Sequence, residues 1–152
     1  MAQATAPTFE RYEQKVADAM TKMNNETTGG LPGFLGVKFV EFGPGRLLAE
    51  AEVRPDFVTP FGNIHGGIMA ALVDHVLGCV LYPLLPRGAW AATTEFKLNY
   101  LAPVKSGKLV AESSVVAMTR TTAVVRVEVS NESRLACVAQ GTLLVREPKN
   151  AA

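Results

Sequence analysis

Residues 59–67 read Thr59-Pro60-Phe61-Gly62-Asn63-Ile64-His65-Gly66-Gly67, and the chain continues as Ile68-Met69-Ala70-Ala71-Leu72-Val73-Asp74-His75-Val76-Leu77-Gly78-Cys79-Val80-Leu81-Tyr82. Pro60 and Gly62 punctuate a loop that feeds a long apolar helix. The glycines after His65 allow close approach to the first helical N–H groups, which have no partner within the helix. Those groups lie at the positive end of the helix dipole and favour an anion or a developing oxyanion. Asp74 stands in the middle of this apolar helix. Buried without partners it costs several kcal/mol, so it requires a structural partner or a chemical role.

Working outward, 152 residues with 48% hydrophobic content suit one domain with a substantial core. Fifteen Lys+Arg against fourteen Asp+Glu leave a net charge of +1, so no long-range field for nucleic acid is expected. Residues 1–7 lack a basic segment followed by an apolar run, and no secretory signal is expected. Cys79 and Cys137 are unpatterned and read as core thiols of a reducing, cytoplasmic protein. Two His and two Cys without ligand spacing imply no metal and no redox cofactor. Residues 66–85 have the length of a membrane span, but Asp74, His75 and Pro83 oppose it. A central Asp costs about 2.5–3.5 kcal/mol on insertion, and the strands downstream need this helix as their core, so no membrane is expected.

An amphipathic helix is predicted over residues 8–24 from Phe9, Tyr12, Val16 and Ala19-Met20, followed by a loop over 24–33. Strands are predicted over 34–42 and 46–54 around the turn Gly43-Pro44-Gly45, with Leu47, Ala49, Ala51 and Val53 on a dry face. After the long helix, 89–101 alternates with Trp90, Ala92, Thr94, Phe96, Leu98 and Tyr100 on one face and Thr93, Glu95, Lys97 and Asn99 on the other. Strands 108–118, 123–130 and 135–146 follow, joined by turns at 119–121 and 131–133, as antiparallel neighbours are. One helix cannot cover both faces of a parallel sheet. The expected class is therefore α+β, an antiparallel sheet wrapped around one long central helix. The expected division is an N-terminal helix and loop (1–32), the main domain (33–146) and a tail (147–152), loose from Lys149 to Ala152.

His65-Gly66-Gly67, Asp74, the run Asn99-Tyr100-Leu101-Ala102-Pro103 and the turn Thr119-Arg120-Thr121-Thr122, in this order, resemble the hotdog-fold acyl-CoA thioesterases of the phenylacetate-pathway type. The resemblance covers roughly residues 33–146. It implies that Gly66 donates its backbone N–H to the thioester oxygen, that Asp74 activates or is the nucleophile, and that a hydroxyl on Thr93 orients the carboxylate or its water. It also implies that Arg120 and Thr121 contact the coenzyme A nucleotide, against the ordinary reading of a solvated turn. The family often has Asn six residues before the His, whose amide helps hold the substrate carbonyl; this chain has Thr59 there, whose hydroxyl can donate to substrate over a shorter reach. Strand alternation puts Thr94, not Thr93, on the side of the chain's own helix, unless a bulge intervenes. Asn63 either replaces the missing amide or bonds its own backbone in the loop. His65 either fixes the loop at the helix start or serves as acid or base, Gly67 is a further substrate-binding candidate, and His75 either packs or is partly exposed.

From Gly66 to Asp74 is eight residues, about 12 Å along a helix axis, whereas both groups must come within about 3 Å of a reacting centre. Two helices antiparallel across a two-fold axis solve this by presenting Gly66 of one subunit to Asp74 of the other. The expectation is a homodimer, or a dimer of dimers, that hydrolyses acyl-CoA. Two other readings are a non-catalytic acyl-CoA or lipid-binding module in which Asp74 anchors the helix, and a hotdog dehydratase, whose His motif is not found.

Overall fold

The structure, a computed structural model, describes residues 7–147. The tail expected from Lys149 onward and most of the leading segment lie outside the described residues. The elements are helices α1 (Gln14–Glu26), α2 (Gly30–Leu35) and α3 (Gly66–Cys79), and strands β1 (Lys38–Gly43), β2 (Arg46–Glu52), β3 (Trp90–Tyr100), β4 (Lys108–Met118), β5 (Thr122–Asn131) and β6 (Arg134–Arg146). All strand pairs are antiparallel, in the order β1-β2-β4-β5-β6-β3. The sheet wraps α3, which packs against β2 to β6, as the α+β reading expects.

The dry faces follow the period of two. Leu47, Ala49 and Ala51 of β2 and Val125, Val127 and Val129 of β5 are buried with Met69, Leu72, Val73, Val76 and Leu77 of α3. Each large side chain so buried contributes about 1.5–3 kcal/mol relative to exposure. Residues 66–84 are long and apolar enough to span a membrane, but their large side chains are spent on the sheet.

Three local expectations are corrected. The first helix begins at Gln14, not residue 8. Phe9 and Tyr12 reach the core from an extended segment, where the Phe9 ring lies on Gly45 and the Glu13 N–H donates to the Pro83 carbonyl at 2.8 Å. Ala19 is exposed, and Ala17 and Asn24 make the buried seam. The expected loop 24–33 contains the end of α1 and most of α2, so Phe34 belongs to a helix and β1 starts at Lys38. A short helix rich in Gly and Pro has little local signal; it is held by its left-handed cap, Gly36 at φ 66°.

The third correction bears on the site. Thr93 pairs with Leu143 and Glu95 with Thr142, leaving Thr94 as a bulge. Paired residues point to the same side of a sheet. Ala91 and Thr93 therefore share the core side of Val145 and Leu143, and Phe96 and Leu98 share that of Gly141 and Ala139. Trp90 and Ala92 are turned to the other side, contrary to the uninterrupted alternation expected, and Trp90 and the bulged Thr94 are exposed.

Candidate active site

The loop before α3 is closed by its own backbone. His65 donates its N–H to the Phe57 carbonyl at 2.8 Å, Thr59 to Asn63 at 2.7 Å, Gly62 to Thr59 at 2.9 Å and Ile64 to Val104 at 2.7 Å. His65 is the N-cap of α3, and its Nδ1 accepts the Gly67 N–H at 2.9 Å. An accepting Nδ1 puts the proton of the neutral ring on Nε2. Here His65 fixes the helix start, the structural one of its two expected roles.

The glycine pair has a steric cause. A Cβ on Gly66 would lie 2.7 Å from the Tyr100 hydroxyl oxygen, and one on Gly67 3.0 Å from His65 Nδ1. The Tyr100 hydroxyl donates to the Gly66 carbonyl at 2.7 Å. Partial burial, and to a lesser degree neighbouring Cys137, holds the Tyr100 phenol above its ordinary pKa, so it stays a donor. The Gly67 N–H is consumed by His65, while the Gly66 N–H makes no hydrogen bond among the described residues. Gly66 lines a pocket of about 460 Å³ with Asn63, Ile64, Met69, Tyr100 and the 101–104 segment. Tyr100 belongs to the Asn99–Pro103 motif, and its role against Gly66 is visible only in the fold. The signal was an aromatic at the end of a strand, directly before a Pro-containing loop.

Asp74 is exposed on the open face of α3, which otherwise carries the small residues Gly67, Ala70, Ala71 and Gly78. Among the described residues it has no salt bridge and no hydrogen-bonded side chain. The expected burial penalty is absent within the chain, and so is the partner that an anchoring Asp74 requires. Its charge is felt next door. Burial pulls His75 below the ordinary histidine value, with Asp74 opposing, and burial aided by Asp74 pushes the Cys79 thiol up to about 12. Cys79 is thereby no nucleophile. His75 packs, as expected: its ring stacks on Phe39 at 5.4 Å, and Nε2 lies 2.9 Å from Asn24 Oδ1, joining α3 to α1 and β1.

The bulge turns half-buried Thr93 towards the helix side, and Thr94 is spent, donating to the Thr142 carbonyl at 2.9 Å. Thr59 closes its turn through backbone atoms and is not in the pocket wall, whereas Asn63 is. The Asn63 side-chain oxygen is buried and has no partner among the described residues, so it does not bond its own loop.

Arg120 and exposed Thr121 cap the β4–β5 hairpin, where Thr119 Oγ1 receives the Thr121 and Thr122 N–H groups at 3.3 and 3.1 Å. Arg120 borders a separate cleft of about 670 Å³ with Phe9, Arg11, Leu84 and Pro86, beyond the C-terminal end of α3. Within one chain the structure therefore gathers Gly66, Asn63 and Tyr100. Asp74 lies about 12 Å along the helix, and Arg120 and Thr121 lie at the opposite end.

The sequence pattern of the thioesterase superfamily matches residues 61–138. Human acyl-coenzyme A thioesterase 13 is 29% identical over 130 residues, which are 84% of this chain and 89% of that protein. The crystal structure of thioesterase HI1161 from Haemophilus influenzae superposes with a TM-score of 0.81 at 23% identity, covering 93% of this chain and 99% of its own. A phenylacetic acid degradation-related protein from Ralstonia eutropha gives 0.75 at 23% identity, covering 82% and 98%. The six-stranded antiparallel sheet around one long helix is the hotdog fold of these structures.

Proposed function

Because this chain belongs to the thioesterase superfamily, we propose that it hydrolyses acyl-CoA thioesters to the free acid and CoA, in a site assembled from two copies of the chain. The observation that carries this is an unspent donor and an unspent carboxylate on one helix, Gly66 N–H and Asp74, too far apart to meet within it. Acyl-CoA as substrate is supported by the name of the human relative, most of whose length the chain covers.

The thioester carbonyl oxygen receives the Gly66 N–H, a preorganised donor worth about 2.7–4 kcal/mol as negative charge develops there. Asp74 of the partner subunit takes a proton from water as the water oxygen adds to the carbonyl carbon, or attacks that carbon itself. Thr93 positions the carboxylate or the water. Collapse of the tetrahedral adduct expels the CoA thiolate, and where Asp74 is the nucleophile water then cleaves the resulting acyl-aspartyl anhydride to the free acid and the Asp74 carboxylate. A thiolate is a far better leaving group than an alkoxide and departs without an acid catalyst, which agrees with a His65 engaged as a cap.

Assembly through β3 fits this reading. Among the described residues β3, eleven residues long, ends the sheet with an unpaired edge, and such an edge is a template for a second copy. Two-fold pairing there sets the two α3 helices antiparallel on one side, and the small residues on their open faces let them approach. The Arg120 end of one copy then falls beside the Gly66 end of the other, as contact with the coenzyme nucleotide by Arg120 and Thr121 requires. The result is a homodimer, or a dimer of dimers. The proposal includes a cytoplasmic setting, in keeping with two unpaired cysteines.

Free-thiol release from aryl- and fatty-acyl-CoA esters by the purified protein tests the reading. Turnover of at least one ester well above buffer is expected. Tight binding without turnover across the series refutes it in favour of a non-catalytic binding module.

A further inference from the structure

The loop that carries Asn63 does not need its side chain. Backbone bonds from Thr59, Gly62, Ile64 and His65 already close it, and the Asn63 carbonyl is used by Thr59 N–H. The Asn63 side-chain oxygen nevertheless sits buried with no partner among the described residues. Buried polar atoms are nearly always paired, so an orphan of this kind asks for a partner from outside the chain. The same residue lines the pocket beside Gly66. The terminal torsion of Asn is broad and soft, so the amide has the freedom to turn towards a donor in that space. The remaining wall is apolar around Met69, Leu101, Pro103 and Val104, and the Tyr100 hydroxyl is committed to the Gly66 carbonyl.

We propose that Asn63 accepts a hydrogen bond from an N–H or O–H donor that the thioester brings into the pocket, and that this contact sets how the ester lies against the Gly66 N–H. The proposal rests on the thioester reading of this pocket. A CoA ester offers such a donor from two sources: the amide of the thiol arm nearest the sulfur, or a hydroxyl on the acyl group. In either case a site built to satisfy a donor discriminates against the analogue lacking it, because its own acceptor is then left buried and unpaired.

Two substrate pairs separate the sources. In the first, S-benzoyl N-acetylcysteamine is compared with its acetoxyethyl counterpart, in which oxygen replaces the amide N–H. In the second, 4-hydroxybenzoyl-CoA is compared with benzoyl-CoA. Hydrolysis is followed by thiol release, and binding of the corresponding non-hydrolysable thioethers by calorimetry. The unmodified protein should favour the donor-bearing member of one pair by about tenfold or more. Asn63→Leu should erase that preference while its melting temperature holds or rises, since the orphaned oxygen is gone. A structural Asn63 would instead lower the melting temperature and leave the preference in place. Preference in the first pair assigns the donor to the coenzyme arm, and preference in the second to the acyl group.

Equal handling of both pairs by the unmodified protein overturns the proposal without using any variant. So does a preference that survives Asn63→Leu, or Asn63→Ala if the leucine protein does not fold. Hydrolysis without donor preference removes Asn63 from recognition and leaves the thioesterase reading intact. Donor-dependent thioether binding without hydrolysis does the reverse.

Discussion

Replacing Asp74 by Asn keeps the shape of the side chain and removes its charge, and the structure allows the two consequences to be separated by size. Asp74 is exposed on α3 and holds no salt bridge among the described residues. Surface changes away from such contacts stay within about 0.5 kcal/mol. For a chain of this size that is a melting-temperature shift of about 1–2 °C, and relief of the charge at the proposed subunit seam moves it upward. Loss of a positioned base costs at least about 10²-fold in kcat, or about 2.7 kcal/mol of transition-state stabilisation. Asp74→Asn should therefore melt with the parent and turn over at least about 100-fold more slowly, read by thiol release on the best ester of the series. The same protein supplies an internal check. Asp74 raises the pKa of His75 against burial, so the His75 resonance should titrate at lower pH in the variant. An ion pair overlooked at this position would cost about 3–5 kcal/mol and show as a steep loss of melting temperature. A variant that is both stable and fully active refutes the assignment of Asp74 and, with it, the proposed chemistry.

Three further outcomes are expected. Mixing inactive Asp74→Asn with inactive Gly66→Val and allowing subunits to reassort should restore about a quarter of the parental sites, since half the dimers are mixed and each holds one intact site; no recovery on mixing, or a monomer by light scattering at assay concentration, refutes the composite site. Arg120→Ala should raise KM for acyl-CoA by about tenfold, the scale of a charge-assisted contact, and leave an N-acetylcysteamine thioester unchanged; equal losses on both would make the hairpin a folding element. Burial holds His75 below the ordinary histidine value of 6.5, so the unfolded chain binds its proton more readily and the stability this contributes is full above about pH 6.5 and lost as pH falls through the folded value. Denaturant melts from pH 7.5 to 4.5 should show this slope in the parent and a shallower one in His75→Gln; identical slopes would discharge His75 from the acid response.

Much of the molecule is written in local pattern. The alternation of Val125, Val127 and Val129 and of Leu47, Ala49 and Ala51, the apolar run from Ile68 to Leu81, and the His-Gly-Gly step are sufficient for α+β with one central helix and a donor at its start. These depend on side-chain period and composition, which neighbouring residues determine among themselves. What only the tertiary structure decided depends on partners distant in sequence. The bulge at Thr94 is set by register against β6, and the small residues Ala91 to Thr94 carry no local mark of it, so the facing of Thr93 was not readable. The first helix starts at Gln14 because Phe9 meets Gly45 and Glu13 meets Pro83 across the fold, contacts to which helical periodicity is blind. The glycine at 66 owes its necessity to Tyr100, thirty-four residues later. Asp74 was expected to need a partner because its helix is apolar on the page. The folded chain turns the large residues of that helix into the sheet and leaves the carboxylate on the small-residue face, where its partner is sought in a second copy.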